Sequence, residues 1–206
     1  MSRSYKKLNR LLSALALVLI AGLYPVAAAA ESHPATPWGV DQLMQQLAQV
    51  KNLKGTFVER KHLRILDTPL DFSGTLVYAA PAHLEKHTVL PKPQSLILDQ
   101  DQLVVEDKTR KQRRVLRLQE YPVIWAFVES IRATLAGDLQ ALNRFYRVDL
   151  EGTESRWRLL LRPTGPELGA MLTIIRIGGQ GRRVRTIEIL EAQGDRSVMT
   201  ITETPQ

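Results

Sequence analysis

The stretch that decides the fold is Leu70-Asp71-Phe72-Ser73-Gly74-Thr75-Leu76-Val77-Tyr78, followed by Ala79-Ala80-Pro81. Its large apolar residues fall on one face of a β-strand and its polar residues on the other. Gly74 predicts a bend or bulge within the strand, and the proline predicts its end. We therefore expect a strand over residues 70–79 with one buried face.

Segments on both sides of this strand are rich in β-forming residues and are separated by short turns, which predicts antiparallel pairing. The predicted strands cover residues 56–66, 70–79, 84–90, 95–99, 103–107 and 115–118, and then 146–151, 156–162, 172–177, 184–190 and 198–203. Twisted open sheets rarely exceed about ten strands, so a sheet of about nine to eleven strands is expected to curl.

Helical spacing interrupts the strands at two places. Before the first strand, Thr36 and Pro37 predict the start of an amphipathic helix that ends near Asn52. In mid-chain, Pro122 opens a second helix that Gly137 ends. Asp138 then predicts the N-cap of a short third helix. The pattern is therefore that of an α+β fold built on a curled antiparallel sheet.

The N-terminus predicts a secretory signal peptide over residues 1–30. Four basic residues precede an apolar run of 13 residues from Leu11 to Leu23, which is too short to span a bilayer, and Ala28-Ala29-Ala30 offers a cleavage point. Residues 31–206 are then expected to form a single exported domain in a bacterial periplasm. That mature chain carries 24 basic and 21 acidic groups, a net charge of +3. Nucleic acid is a poor partner for so mild a charge.

The chain shows no pattern typical of an active site. It has no cysteine, and the spacing of His83 and His87 on a strand puts them about 13 Å apart, too far for one metal ion. We expect no metal, no cofactor and no enzymatic activity. An enzyme using His62 or His87 stays the third alternative. The basic runs at 108–114 and 182–185 are expected to be solvated, with docking on anionic headgroups or on an acidic partner as the alternative.

Many predicted strands carry apolar residues on both faces, as in Leu96-Ile97-Leu98 and Leu159-Leu160-Leu161. Both faces of the sheet therefore need a cover. The mid-chain helices or a bound apolar ligand could cover the inner face, and the sequence leaves that choice open.

The chain resembles the LolA-like family of periplasmic outer-membrane lipoprotein carriers over about residues 38–203. The resemblance lies in the order of the elements, in the run Gly55-Thr56-Phe57-Val58-Glu59-Arg60-Lys61, and in the stretch from Phe72 to Pro81. Those carriers place an arginine just before this proline, where it hydrogen-bonds the lid, and they extend further after the last strand. Here the position is Ala80. These departures indicate a divergent branch of the family.

The resemblance implies an unclosed β-barrel whose helices form a lid over an apolar cavity. It implies a monomeric carrier that takes acyl chains of a lipoprotein or lipid from an inner-membrane exporter to an outer-membrane acceptor, with transient membrane contact. The alternative function is a periplasmic sensor or adaptor that binds a protein partner through the same half-barrel, with the loop 108–114 as its contact. The residues expected to line the cavity are Phe57, Phe72, Leu76, Tyr78 and Leu84 on the sheet, and Ile124, Phe127, Val128, Ile131 and Leu135 on the lid.

Overall fold

The computed structural model describes residues 37–204. Its helices are α1 (Val40–Leu47), α2 (Pro122–Ala136), α3 (Leu139–Asn143) and α4 (Pro166–Gly169), with a 3-10 turn at Leu118–Glu120. Its strands are β1 (Asn52–His62), β2 (Leu70–Ala79), β3 (His83–Leu90), β4 (Gln94–Asp99), β5 (Gln102–Asp107), β6 (Gln112–Arg117), β7 (Tyr146–Thr153), β8 (Arg156–Pro163), β9 (Leu172–Gln180), β10 (Arg183–Glu191) and β11 (Arg196–Glu203). The predicted signal peptide lies outside the described residues.

The eleven strands form one antiparallel sheet in the order β6-β5-β4-β3-β2-β1-β11-β10-β9-β8-β7. The first strand pairs with the last, at Phe57 opposite Ile201, while β6 and β7 remain as free edges. The 3-10 turn, α2 and α3 connect these two edges. This arrangement confirms the predicted α+β fold with an unclosed barrel.

The two faces of the sheet follow from the strand register. On β1 the buried residues Gly55, Phe57 and Glu59 alternate with exposed ones, and residues paired with them share the same face. This inner face carries the main core on β8 and β9, where Leu159, Leu161, Ile175 and Ile177 are fully or almost fully buried. α1 adds Leu43, Met44 and Leu47 to the same core.

Strand β2 spans 70–79 as predicted, and its pairing with β3 shifts register between Ser73 and Gly74. The predicted bulge is therefore confirmed. A Cβ on Gly74 would lie 1.9 Å from the carbonyl oxygen of His87, so no other residue fits where the two backbones approach so closely.

Several predicted boundaries are wrong. α1 ends at Leu47, because β1 already begins at Asn52 and pairs there with Ala79. The N-cap of α1 is Gly39 and not the predicted Thr36, which lies outside the described residues. The basic segment 108–114 is a loop only to Lys111, since Gln112–Arg117 pairs with β5. The sequence reading also missed α4. No helix within residues 37–204 is long and apolar enough to span a bilayer.

Candidate functional site

Helix α2 has two opposite faces of different composition. Its most deeply buried face consists of small and polar residues, in which Ala126, Ser130 and Ala133 are at most 2% exposed. Their spacing of four and three places them on one side of the helix. The large apolar residues Ile124, Phe127, Val128, Ile131 and Leu135 follow the same spacing on the other side. The helix thus packs into the core through its small residues and keeps its large ones only partly covered.

Contacts on the small-residue side fix α2 in place. The Tyr146 hydroxyl donates to the carbonyl oxygen of Ala126 at 3.0 Å. At the C-terminal end, Gly137 has φ +68, and a Cβ there would lie 2.1 Å from the carbonyl oxygen of Met44. A left-handed glycine that ends a helix is favourable for this close approach. The end of α2 therefore rests directly on α1.

The ten predicted lining residues are not equally accessible. Phe57, Leu76 and Tyr78 are buried, and Phe72, Ile131 and Leu135 pack against the core that contains Phe57. The residues that keep part of their surface exposed are Phe72, Leu84, Ile124, Phe127, Val128, Ile131 and Leu135, with Phe127 at 36%. The structure thus brings Phe57, Phe72, Leu76, Ile131 and Leu135 to one core. The structure places Leu84 of β3 directly opposite Tyr78 of β2.

A second partly covered apolar surface lies on the inner face of β3 to β6. The register pairs Leu84 with Leu98, and Leu98 with Leu103. Of these, only Leu98 is buried. The half-buried inner-face residues of this region are Leu84, Leu96, Leu103, Val105 and Leu116. These five residues form an apolar, incompletely covered patch, with Lys86 opposite Leu96 and Arg114 opposite Val105 on the same face.

Three charged side chains lie on the inner face beside this surface. The Glu59 carboxylate accepts from the Lys86 ammonium at 2.5 Å and from the Ser197 hydroxyl at 2.6 Å, and Lys61 Nζ lies 3.5 Å from it. Lys86 Nζ also lies 4.8 Å from the centroid of the Phe57 ring. We call Glu59, Lys61, Lys86 and Ser197 the inner ionic cluster.

The inner ionic cluster is held together by charge. Burial alone would raise the pKa of Glu59, but Lys86, Ser197 and Lys61 together outweigh that effect and keep its pKa below the ordinary value. Burial lowers the pKa of Lys86, and Glu59 opposes this shift. Glu59 is only 3% exposed, so its charge depends on these partners. The cluster was not predicted from the sequence, although it is indicated by Glu59, a glutamate at one of the alternating buried positions of β1.

The side of α2 that faces the β2–β3 and β4–β5 turns carries a second set of charges. Glu129 is buried and accepts from Arg132 Nε at 2.8 Å, while Arg144 Nη2 lies 3.5 Å away. Arg132 Nη1 also donates to the carbonyl oxygen of Pro81 at 3.4 Å. The residue before Pro81 is Ala80, which has no side chain that could reach the helix. The arginine that links α2 to the β2–β3 turn is therefore Arg132 of the helix itself.

His83 and His87 lie on the outer face of β3. Both oxygens of the Glu85 carboxylate are engaged, one by His83 Nε2 at 2.7 Å and one by His87 Nε2 at 2.5 Å. His87 Nδ1 lies 2.9 Å from Ser95 Oγ, which gives the connectivity of a nucleophile, base and orienting acid. Ser95, however, is only 2% exposed and cannot receive a substrate. Residues 37–204 contain no group of three side chains that could hold a metal ion.

Two clefts lie at the end of the barrel where β1 begins. The first has a volume of about 510 Å³ and lies between the α1–β1 connection, the start of β10 and the end of β11. The second has a volume of about 660 Å³ and lies between the β7–β8 and β9–β10 turns. Arg185 lines both clefts. The sequence reading identified the arginines at 182–185 but not the lysines that join them here.

The amino-acid sequence of the chain matches a known protein family. The chain belongs to the family described as outer membrane lipoprotein carrier protein LolA-like, which matches residues 29–203. The resemblance expected from the sequence is therefore confirmed. No curated protein matches the chain.

Solved structures with a similar course of the chain include the LolA superfamily protein NE2245 from Nitrosomonas europaea. It is 9% identical, and the match covers 82% of this chain and 94% of that one, with a TM-score of 0.45. A chain of the Pseudomonas aeruginosa MucA/MucB complex is 13% identical, with coverage of 81% and 58% and a TM-score of 0.44. The family assignment rests on the sequence match alone.

Proposed function

We propose that this protein is a periplasmic carrier that shields acyl chains of a lipoprotein or a lipid between α2 and the inner face of the sheet. It would move them from an inner-membrane exporter to an outer-membrane acceptor. The observation that carries the proposal is the inverted packing of α2. A helix that only closed a core would bury its largest apolar residues, whereas α2 buries its smallest and leaves Phe127 partly exposed.

The half-buried inner face of β3 to β6 supports the same proposal. Leu84, Leu96 and Leu103 have apolar surface that no helix fully covers. An acyl chain between this face and α2 would cover both surfaces at once. Each buried methylene contributes about 0.8 kcal/mol, so a dozen would give roughly 10 kcal/mol before other costs. A membrane offers the chain a similar gain, so transfer would be nearly balanced and reversible.

We interpret the conformation described as the closed state. Phe57 and Tyr78 are almost fully buried, so they would meet cargo only after α2 swings outward. The bond from Arg132 to the Pro81 carbonyl oxygen joins α2 to the β2–β3 turn, and the neighbouring Glu129 of the same helix orients the Arg132 side chain. Any interaction made only in the closed state lowers cargo affinity by its own free energy. This is how such a carrier can release what it binds.

The first experiment is a titration of the mature protein with a fluorescent fatty acid. We expect saturable binding at a one-to-one ratio, with competition by unlabelled acyl lipids. Mass spectrometry of lipids extracted from the purified protein should recover the natural cargo. No binding across several acyl ligands would exclude the carrier function.

The variant Phe127→Glu tests where the chain binds. Burying a phenylalanine side chain is worth about 1.5–3 kcal/mol, so replacing it with a charged group should weaken binding at least about tenfold. Because Phe127 is partly exposed, the circular dichroism spectrum and melting temperature should stay close to those of the wild type. The matched control is Ile65→Glu, at an apolar residue that is 89% exposed in the β1–β2 turn. An equal loss of binding in both variants would contradict a site at α2.

The second candidate is an adaptor that binds a protein partner. It is favoured by edge strand β6, whose residues Gln112 to Val115 are all exposed and end the sheet with free backbone groups. A pull-down that retains one protein, is lost in high salt and yields no lipid would support this function. In that case Phe127→Glu should leave capture of the partner unchanged.

A further inference from the structure

The cleft of about 510 Å³ at the start of β1 is strongly basic. Its charged lining residues are Lys51, Lys54, Arg182, Arg183, Arg185 and Glu203, so five cations face one carboxylate. We call this cleft, with its five cations, the basic cleft. Five like charges on the wall of one cleft repel each other and raise the local potential for an anion.

Internal partners neutralise little of this charge. Arg183 Nε lies 3.4 Å from a Glu203 oxygen, which is its ion pair. Among the described residues, Arg182 and Lys51 bind neutral acceptors, the Gln49 side chain at 3.3 Å and the Ala48 carbonyl oxygen at 2.7 Å. Within residues 37–204, Lys54 and Arg185 have no ion pair. The fold therefore holds the cations together without using their charge for its own stability.

The neighbouring cleft of about 660 Å³ extends the same surface. Arg185 lines both clefts, and Arg156 and Arg158 line the second. The cations thus follow the ends of three connections, those between α1 and β1, β7 and β8, and β9 and β10. A row of cations across several turns suits a surface that presents many anions better than it suits a single small ion. Arginine is also the side chain best matched to phosphate oxygens.

We propose that the basic cleft docks this protein on the phosphate headgroups of an anionic phospholipid bilayer. This docking is independent of what the protein carries, and would hold even if the cargo proposal failed. Its position also suits a carrier, because Gln49 and Lys51 follow α1 directly and the end of α2 rests on α1 at Met44 and Ala48. Docking would therefore occur beside the point where α2 is seated.

The test is co-sedimentation of the mature protein with vesicles of phosphatidylglycerol and phosphatidylcholine, and with vesicles of phosphatidylcholine alone. We expect binding only to the anionic vesicles and its loss at about 1 M salt, where the screening length falls to about 3 Å. The double variant Lys54→Glu/Arg185→Glu should lower partitioning at least about tenfold. It breaks no ion pair of the fold, so it should stay folded.

The matched control is Lys108→Glu/Lys111→Glu, in the loop between β5 and β6. It changes the net charge equally, at two exposed lysines outside the cleft, and should retain binding. An equal loss of vesicle binding in both double variants would overturn the proposal, because the net charge of the protein, and not the position of the cations, would then determine binding. Binding to polyglutamate with no binding to anionic vesicles would also overturn it, in favour of an acidic protein partner. Release by millimolar inorganic phosphate at constant ionic strength would overturn docking on a bilayer, in favour of a site for one free phosphate.

Affinity for the fluorescent fatty acid in solution is measured on the same variants. We expect Lys54→Glu/Arg185→Glu to leave it unchanged while vesicle binding is lost. A wild-type protein that binds vesicles but no acyl probe would refute the carrier function and leave docking in place. Acyl binding without vesicle binding would refute the docking and leave the carrier function in place.

Discussion

The two halves of the sheet differ in how well their inner faces are covered. On β8 and β9, Leu159, Leu161 and Ile175 are 0% exposed beneath α1 and its neighbours. On β3 to β5, Leu84, Leu96 and Leu103 occupy the same face and remain half-buried. Both halves are antiparallel strands with large apolar residues, so strand chemistry does not explain the difference. What differs is the cover that the helices supply.

On the proposed function, this difference separates stability from binding. The fully buried half has the packing that stabilises a domain. The half-buried half gives up part of that stabilisation and keeps apolar surface available, which is what a binding site for an acyl chain needs. The inner ionic cluster lies between the halves, on β1, β3 and β11. Variants in these three places should therefore have distinct effects.

The largest effect is expected at the inner ionic cluster. Lys86→Met leaves Glu59 buried without its main partner, and breaking one side of a buried ion pair costs about 3–5 kcal/mol. Denaturant unfolding should show this loss. The double variant Lys86→Met/Glu59→Gln should recover most of it, because no buried charge is then unpaired. A single variant as stable as the wild type would show that the cluster is solvated.

The pH dependence of unfolding gives a second measure of the same cluster. Because the pKa of folded Glu59 lies below its ordinary value of 4.5, its carboxylate stabilises the fold at pH above 4.5. That contribution is lost as the pH falls through the folded-state pKa. The double variant should therefore lose less stability on acidification than the wild type. Identical acid profiles would contradict the lowered pKa.

The next largest effect compares equivalent leucines in the two halves. Leu161→Ala should cost about 2–5 kcal/mol, because it leaves a cavity in a packed core. Leu96→Ala removes the same atoms from a half-buried site and should cost less than half as much. Thermal and denaturant unfolding of both variants provide the comparison. Acyl binding should fall in Leu96→Ala and not in Leu161→Ala, and the reverse would refute the division.

The smallest effect concerns the contact that holds α2 closed. Arg132→Gln removes the bond to the Pro81 carbonyl oxygen, which joins α2 to the β2–β3 turn, and also the bond within the helix to Glu129, near which Arg144 remains. If the closed state opposes binding, a lost interaction of about 1 kcal/mol should raise acyl affinity about fivefold. Titration with the fluorescent fatty acid measures this. Weaker binding would mean that Arg132 stabilises the loaded state.

The sequence predicts the fold well where local signals agree. The alternation from Leu70 to Tyr78 gives β2 with its correct bounds, and the glycine gives its bulge. Predictions fail where pairing partners decide the boundary. α1 stops at Leu47 because β1 must begin at Asn52 to pair with Ala79, and nothing local to those residues signals this.

The site was harder to predict from sequence for a related reason. Periodicity correctly selects Ile124, Phe127 and Val128 as one face of α2, but it cannot tell which face packs inward. The answer depends on Tyr146, whose hydroxyl donates to the Ala126 carbonyl oxygen, and on Met44, whose carbonyl oxygen lies close to the glycine that ends α2. The inner ionic cluster likewise joins residues from β1, β3 and β11, which only the register brings together.

The chain passes between the two free edges of the sheet through residues 118–145, which include α2 and α3. A segment anchored at Arg117 on one edge and at Tyr146 on the other can pivot, but it cannot detach. Its travel is limited by its own length, so any opening would be a slit of fixed maximum width. In the proposed carrier, bulky headgroups would then remain outside while tails entered, and the covalent course of the backbone would set the size of acceptable cargo.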